Sequence, residues 1–253
     1  MCYTLAAKVL HILTQIVSLT GAITFLGWYF CLQKKERKPI KSFTVATAES
    51  CTLNKVYAWL GSKSGSSNYL RRGQGAYHID EKVEHLDVNR QNAEKCNCVN
   101  QQVADEMAVG LLDEGYAFAA STTGYVGASD ESTNPFFWFC IASPFDKVSY
   151  KCSVDLSKVT SETKKTLRLL DDEEDRVVCQ TLFAYIVMCS IKGHFDAHEN
   201  NFRERFTYEN DKKAIDSFKE NLTKMNLSYD AVESVVDELH QIKLMKTESD
   251  KDK

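Results

Sequence analysis

Glu49, Ser50 and Cys51 sit where one kind of sequence pattern gives way to another. In "FTVATAESCTLNKVYAWL", residues 43–60, an alternating β-branched run ends at "AES" and apolar residues at helical spacing follow. A strand that stops at Ser50, followed within a residue or two by a helix, would set the serine hydroxyl where unpaired first-turn N–H groups and the helix dipole converge. Two chemistries fit that position. Serine is among the preferred N-cap residues, so its hydroxyl can simply satisfy one of those amides. It can also be a nucleophile whose oxyanion the same amides would hold, a use that requires a base.

Other chemistry-bearing residues are less well placed by their spacing. His194 and His198 are four apart and could share a helical face as metal ligands, but spacing fixes no third ligand, and the pair is read as surface histidines. "CNC" (Cys96, Cys98) has one intervening residue, shorter than zinc-knuckle spacing, and is read as loop or core thiols. Nine cysteines, an odd number without a repeated spacing in a chain of 253 residues, fit a reducing compartment better than a disulfide framework.

The elements that must hold Ser50 alternate in type. "FTVATA" is a strand candidate, and Leu53, Val56, Tyr57 and Leu60 fall on one helical face. Asn100 is placed to cap a helix carrying Val103, Met107 and Leu111 and ending near Gly115. "YAFAAST" and "FWFCIA" read as buried strands, and "KVSYKCSV" turns Val148, Tyr150, Cys152 and Val154 to one side. A long helix is expected from about Asp172 to Ile191, stopped by Gly193. Beyond it, Ile215, Phe218, Leu222 and Met225 form one helical stripe, and Val232, Val235, Leu239 and Ile242 a second. Strands alternating with helices predict an α/β fold, a three-layer α/β/α sandwich with an N-terminal hydrophobic helix and a C-terminal helical appendage. The organisation expected is a hydrophobic helix at 1–33, a basic linker at 34–42, the main domain at 43–193, and the appendage with a polar tail at 194–253.

Composition bounds the partners. A formal charge of −4 and 43% hydrophobic residues describe an ordinary globular chain without the field to hold a polyanion, so nucleic acid is not an expected partner. Residues 9–32 carry no formal charge and are followed by "QKKERKPIK", which reads as a membrane anchor leaving the main domain in the cytosol. The rival reading is a buried first helix, because His11, Gln15 and several hydroxyl residues dilute its apolarity.

Four blocks in order, "TVATAESCT", "GSSNYLRRGQGAYHIDEKVEHLDV", "CVNQQVADEMAVG" and "AFAASTTGYVG", resemble the CinA C-terminal domain family, which includes stand-alone nicotinamide-nucleotide amidases. The resemblance spans about residues 40–195. It implies a three-layer amidohydrolase fold, a dimer, and hydrolysis of the carboxamide of nicotinamide mononucleotide to nicotinate mononucleotide and ammonia. The family's serine, tyrosine and lysine fall on Ser50, Tyr77 and Lys82. Chemistry then assigns Ser50 as nucleophile, Lys82 as a base whose pKa is lowered by its surroundings, and Tyr77 as a proton relay between them. The covalent serine route calls for no metal and no cofactor. Glu49, the "GSS" residues Ser66 and Ser67, and Thr123 and Gly124 of the family's "TG" turn are the expected substrate contacts, with Arg71 and Arg72 offering cations for a phosphate.

Three departures from the family pattern weigh on the site. Leu53 and Asn54 stand where the family has two glycines after "ESCT", the family's glycine-rich loop reads "GYVGASDEST", and Phe136, Phe137 and Trp138 are bulky where the family is small. Crowding there would give a different reading, a degenerate module that binds a nucleotide or a protein without hydrolysing it.

Overall fold

The strand β1 (Val45–Glu49) is buried along its whole length, with no polar face to offer to water, so helices must cover it on both sides. In the computed structural model, which describes residues 37–127 and 133–242, it is a central strand. It pairs in parallel with β2 (Leu70–Gly75) and with β3 (Phe118–Tyr125). Antiparallel pairings then add β4 (Phe136–Ala142), β5 (Lys147–Val154) and β6 (Val236–Ile242), giving a mixed six-stranded sheet in the order β2-β1-β3-β4-β5-β6. The helix α1 (Lys55–Gly61) connects β1 to β2, while α2 (Ile79–Leu86), α3 (Arg90–Lys95) and α4 (Gln101–Asp113) lie between β2 and β3. After β5 come α5 (Ser161–Thr166), α6 (Asp175–Arg205) and α7 (Glu209–Lys224).

The two faces of the sheet are packed differently. One carries a core rich in aromatic rings, in which Phe43 meets Phe195, Phe202, Phe206 and Phe218 at centroid distances of 5.1–6.2 Å, so α6 and α7 are held to the start of β1. The other presents Ala46, Ala48 and Ala119 to Leu86, Val103, Met107 and Leu111, where small strand residues let α2 and α4 lie close. This is the expected three-layer α/β/α sandwich. Asn100 caps α4 as its position predicted, its side-chain oxygen accepting from the Val103 N–H at 2.8 Å.

The C-terminal region departs from expectation in two places. Gly193 does not stop its helix, because α6 runs on to Arg205. A glycine ends a helix by taking a left-handed conformation, whereas Gly193 stays helical on the solvent side with nothing within 4 Å of where a Cβ would stand. Gly193→Ala is therefore expected to raise stability by about 0.5–1 kcal/mol, read as a higher urea midpoint at constant slope.

The second expected helical stripe is largely a strand. Val232 and Val235 are buried in and beside short 3₁₀ turns, and Val236–Ile242 pairs with β5 as β6. Without β6, β5 would present an open row of N–H and C=O groups, and pairing it outweighs a weak helical pattern. The boundary expected at residues 193/194 thus falls inside α6, and α7 and β6 complete the core and sheet of the main domain. The expected anchor at residues 9–32 and the polar tail lie outside the described residues. Among the described residues one helix, α6, is long and apolar enough to cross a membrane, and its apolar stretch is buried against the sheet.

Candidate active site

In open α/β sheets, ligands gather at the carboxyl ends of parallel strands where the chain order switches direction. Here the chain leaves β1 for β2 on one side and returns to β3 on the other, so the switch lies between β1 and β3. Ser50 directly follows β1 at this point, 8% exposed, with its N–H donating to the Thr122 carbonyl of β3 at 3.0 Å. That bond fixes the residue across the crevice. It also occupies the Ser50 amide.

Lys82 comes to Ser50 from α2. Lys82 and Leu86 are one turn apart on the face of α2 that packs inward, and Lys82 is only 1% exposed. Its Nζ stands 3.3 Å from Ser50 Oγ, 2.6 Å from the Ala76 carbonyl and 3.2 Å from the Tyr77 carbonyl. A neutral amine has two N–H bonds and one lone pair. Given to the two carbonyls, the N–H bonds leave the lone pair for the Ser50 O–H. Burial drives the Lys82 pKa below the ordinary lysine range, against the pull of the Cys98 and Cys51 thiols. Both thiols are themselves pushed up by burial, Cys51 to about 12, so neither is a thiolate at neutral pH that would hold the ammonium charged.

Tyr77 does not occupy the expected relay position. Its side chain is 62% exposed, and its hydroxyl accepts from the Arg176 guanidinium at 3.2 Å; the main-chain carbonyl of Tyr77, not its phenol, meets Lys82. The carbonyls hold Lys82 directly against Ser50, with the Tyr77 phenol outside that contact. Arg176, which sequence reasoning missed, lies in the first turn of α6 and borders a groove of about 480 Å³ with Val126, Asn134 and Pro135. The signal available in the sequence was an arginine just after the acidic run "DDEED".

Glu49 is buried and turned into the protein. It accepts from Thr47 Oγ1, Thr52 Oγ1, Val56 N–H and Tyr57 N–H at 2.7–3.0 Å. The last two belong to the first turn of α1, so Glu49, rather than Ser50, satisfies the helix start, and those amides do not face Ser50. Burial raises its pKa, opposed by these hydrogen bonds. Between Ser50 and α1 the chain makes a turn in which Leu53 (φ 50°) and Asn54 (φ 60°) are left-handed. The backbone there adopts the conformation that suits the family's glycines, at about 1–2 kcal/mol for each ordinary residue. The Leu53 side chain is exposed.

Of the remaining expected contacts, Ser66 and Ser67 lie far from Ser50, whereas Thr123 and Gly124 directly follow Thr122, which receives the Ser50 N–H. Ser66 and Ser67 form a 3₁₀ turn before β2, and because Val45 pairs with Leu70 and Glu49 with Gly75, they stand at the opposite end of the sheet from Ser50. Thr123 and Gly124 belong to β3, not to a turn. The Thr123 hydroxyl donates to the Cys98 carbonyl at 2.6 Å, and a Cβ on Gly124 would lie 2.4 Å from that of Phe137, so glycine is required by the β4 neighbour. Arg71 donates to the carbonyls of its own turn, and Arg72 pairs with Glu114 and Gln74. Two of the three bulky β4 residues are held by other rings, Phe137 stacking on Phe183 in the core at 4.0 Å and Phe136 packing edge-on against Tyr125, while Trp138 packs against the smaller core that contains Ala76. A cavity of about 650 Å³ lined by Trp59, Tyr185 and Met225 involves none of Ser50, Tyr77 or Lys82.

The α/β/α sandwich thus sets a serine at its switch point with a buried lysine amine on the serine hydroxyl. Residues 34–170 match the CinA C-terminal domain, and the chain belongs to that family. A CinA-like protein of Flavobacterium psychrophilum is 37% identical over 95 residues, covering 37% of this chain and 23% of that protein. A putative competence-damage inducible protein of Clostridium botulinum is 37% identical over 90 residues, covering 35% and 22%. The matched part is thus less than a quarter of the length of these relatives. Among solved structures, a competence-damaged protein (CinA) superfamily member from Klebsiella pneumoniae aligns at TM-score 0.49 and 19% identity, covering 62% of this chain and 89% of that one. The competence/damage inducible protein CihA from Agrobacterium tumefaciens aligns at 0.48 and 22%, covering 61% and 85%.

Proposed function

We propose that the protein is an amidohydrolase that converts nicotinamide mononucleotide to nicotinate mononucleotide and ammonia. The observation that carries this reading is the buried Lys82 amine, tied to two carbonyls and aimed at Ser50 Oγ. Ser50 Oγ attacks the carboxamide carbon while its proton passes to Lys82 Nζ. The tetrahedral adduct collapses as the Lys82 ammonium returns that proton to the departing nitrogen, releasing ammonia and leaving an acyl ester on Ser50. Water, deprotonated by the same amine, cleaves the ester and restores the serine. The Ser50 and α1 amides being engaged, the oxyanion donors fall to the amides of the intervening turn, Cys51 and Thr52. Arg176, exposed beside the Tyr77 hydroxyl, is the cation we assign to the substrate phosphate, in place of Arg71 and Arg72.

Two observations favour this over a degenerate binding module: the turn after Ser50 keeps its left-handed backbone without the glycines, and Phe137 packs into the core. Purified protein is expected to release ammonia from nicotinamide mononucleotide, and Ser50→Ala to abolish release with the circular dichroism spectrum unchanged. An alanine variant at the wild-type rate would reject Ser50 as nucleophile.

The cytosolic placement of this domain rests on the basic run from Lys34 to Lys41 behind residues 9–32. Full-length protein is expected in the membrane fraction and a truncation starting at Lys34 in the soluble one. A soluble full-length chain would reject the anchor.

A further inference from the structure

His194 and His198 are not the surface pair their spacing suggested. Because α6 continues past Gly193, both imidazoles project from one face of a rigid helix, and His194 is buried. Their rings lie 4.7 Å apart. Opposite them is the turn between β4 and β5, where Asp146 brings a carboxylate oxygen to 3.8 Å from His198 Nε2. Among the described residues, this trio places one ligand atom from each side chain within 4.8 Å of the others.

We propose that Asp146, His194 and His198 bind one late first-row divalent cation of the zinc type, stapling the β4–β5 turn to α6. Two imidazole nitrogens and one carboxylate oxygen are a donor set suited to such a cation, with water completing the shell. Ligand atoms at about 2.0–2.1 Å from a metal stand roughly 3.3 Å apart in a tetrahedral shell, so the trio must draw in by about an ångström or more. Asp146 can supply that movement, since its carboxylate is half-exposed on a turn while the histidines are anchored.

The surroundings orient the donors. Asp146 Oδ1 accepts from the Lys147 N–H at 2.8 Å, leaving Oδ2 toward His198. His198 stacks on Phe145, and its Nδ1 lies 3.3 Å from Asn201 Nδ2. Metal binding would turn that amide by 180°, so that its oxygen accepts from a protonated Nδ1 and Nε2 keeps its lone pair for the metal. His194 packs edge-on against Phe118, with Nε2 3.3 Å from Ser143 Oγ.

The site is separate from the proposed chemistry. Ala142 pairs with Ala119 and Phe136 with Tyr125, so the β4–β5 turn lies beside the start of β3, at the end of the sheet away from Ser50. The cation would be structural, and amidase activity does not depend on it.

The test uses chelator-stripped full-length protein titrated with ZnCl₂ by calorimetry and with CoCl₂ by absorption, alongside His198→Ala and Asp146→Asn. These two positions are partly exposed, so both variants are expected to fold. The wild type should bind one equivalent of Zn²⁺ with a rise in Tm, and each variant should bind at least about 100-fold more weakly, at or beyond the loss typical of an outer-shell partner. The Co²⁺ protein should show visible d–d bands without a near-ultraviolet thiolate band. Absence of stoichiometric binding, affinity unchanged in both variants, or a thiolate band would each overturn the site.

Discussion

Lys82→Met is expected to lower the amidase kcat by at least about 10³-fold while leaving the fold in place. Methionine matches the length of the lysine stem and removes a buried amine whose charged form the site disfavours. Against that gain, the Ala76 and Tyr77 carbonyls lose the donor that now bridges them, at about 1 kcal/mol each. The two effects offset, and the change in unfolding free energy should stay within about 2 kcal/mol. Activity and stability are thereby separated at one residue, as they would not be for a lysine with a purely structural role. The pH dependence carries the same signature. The neutral amine is the active form, so the wild-type rate should rise with pH through an apparent pKa below the ordinary 10.5 of lysine. The folded state binds this proton less tightly than the unfolded chain, so Lys82 also makes stability rise with pH up to that ordinary value. Lys82→Arg, charged throughout, should be inactive across the range. A Lys82→Met rate within tenfold of wild type, or a wild-type rate that falls with pH over this limb, would remove Lys82 from the mechanism.

The parts of the fold that could be read from the chain are those where one local pattern decides the outcome. β1 is an uninterrupted buried run, β5 alternates, and Asn100 stands where α4 needs a cap. The misread parts were decided by neighbours. β6 forms because β5 needs an outer partner, and Gly193 stays helical because its face is open to solvent. β2, "LRRGQG", has no β-branched residue, and without recognising it as parallel to β1, Ser66 and Ser67 could not be placed at the far end of the sheet.

The site divides in the same way. Ser50 was visible as a seam between two periodicities. Lys82 was placed by family spacing, since a lysine on an apolar helix face ordinarily carries its charge out to water. What holds it against Ser50 is a pair of carbonyls from residues 76 and 77, which no sequence pattern announces, and what lowers its pKa is burial. The Tyr77 relay failed for the same reason: those carbonyls bring the lysine to the serine directly, and the phenol is free to meet Arg176.

The second large effect is expected at Glu49. Glu49→Ala should cost about 3–5 kcal/mol of stability, as expected when several buried donors are left without an acceptor at about 1–3 kcal/mol each and relax in part. Four donors lose their acceptor at once, two of them the first-turn amides of α1, and burial keeps water from replacing it. Glu49→Gln keeps one acceptor oxygen and the side-chain volume, and should cost less than half as much. The consequences reach Ser50 through Thr52, whose hydroxyl donates to Glu49 and lies 2.8 Å from that of Thr122, the residue that receives the Ser50 N–H. The pH dependence has a definite sign. Because burial raises the Glu49 pKa in the folded protein, the folded state holds the proton more tightly than the unfolded chain. Its contribution is therefore fully present below the ordinary carboxylate value near 4.5 and declines as pH rises through the folded pKa. Denaturant midpoints measured against pH should show this decline in the wild type and lose it in Glu49→Gln. If Glu49→Ala unfolds at the wild-type midpoint, the carboxylate is not what joins β1 to α1, and the position of Ser50 must be set by its bond to Thr122 alone.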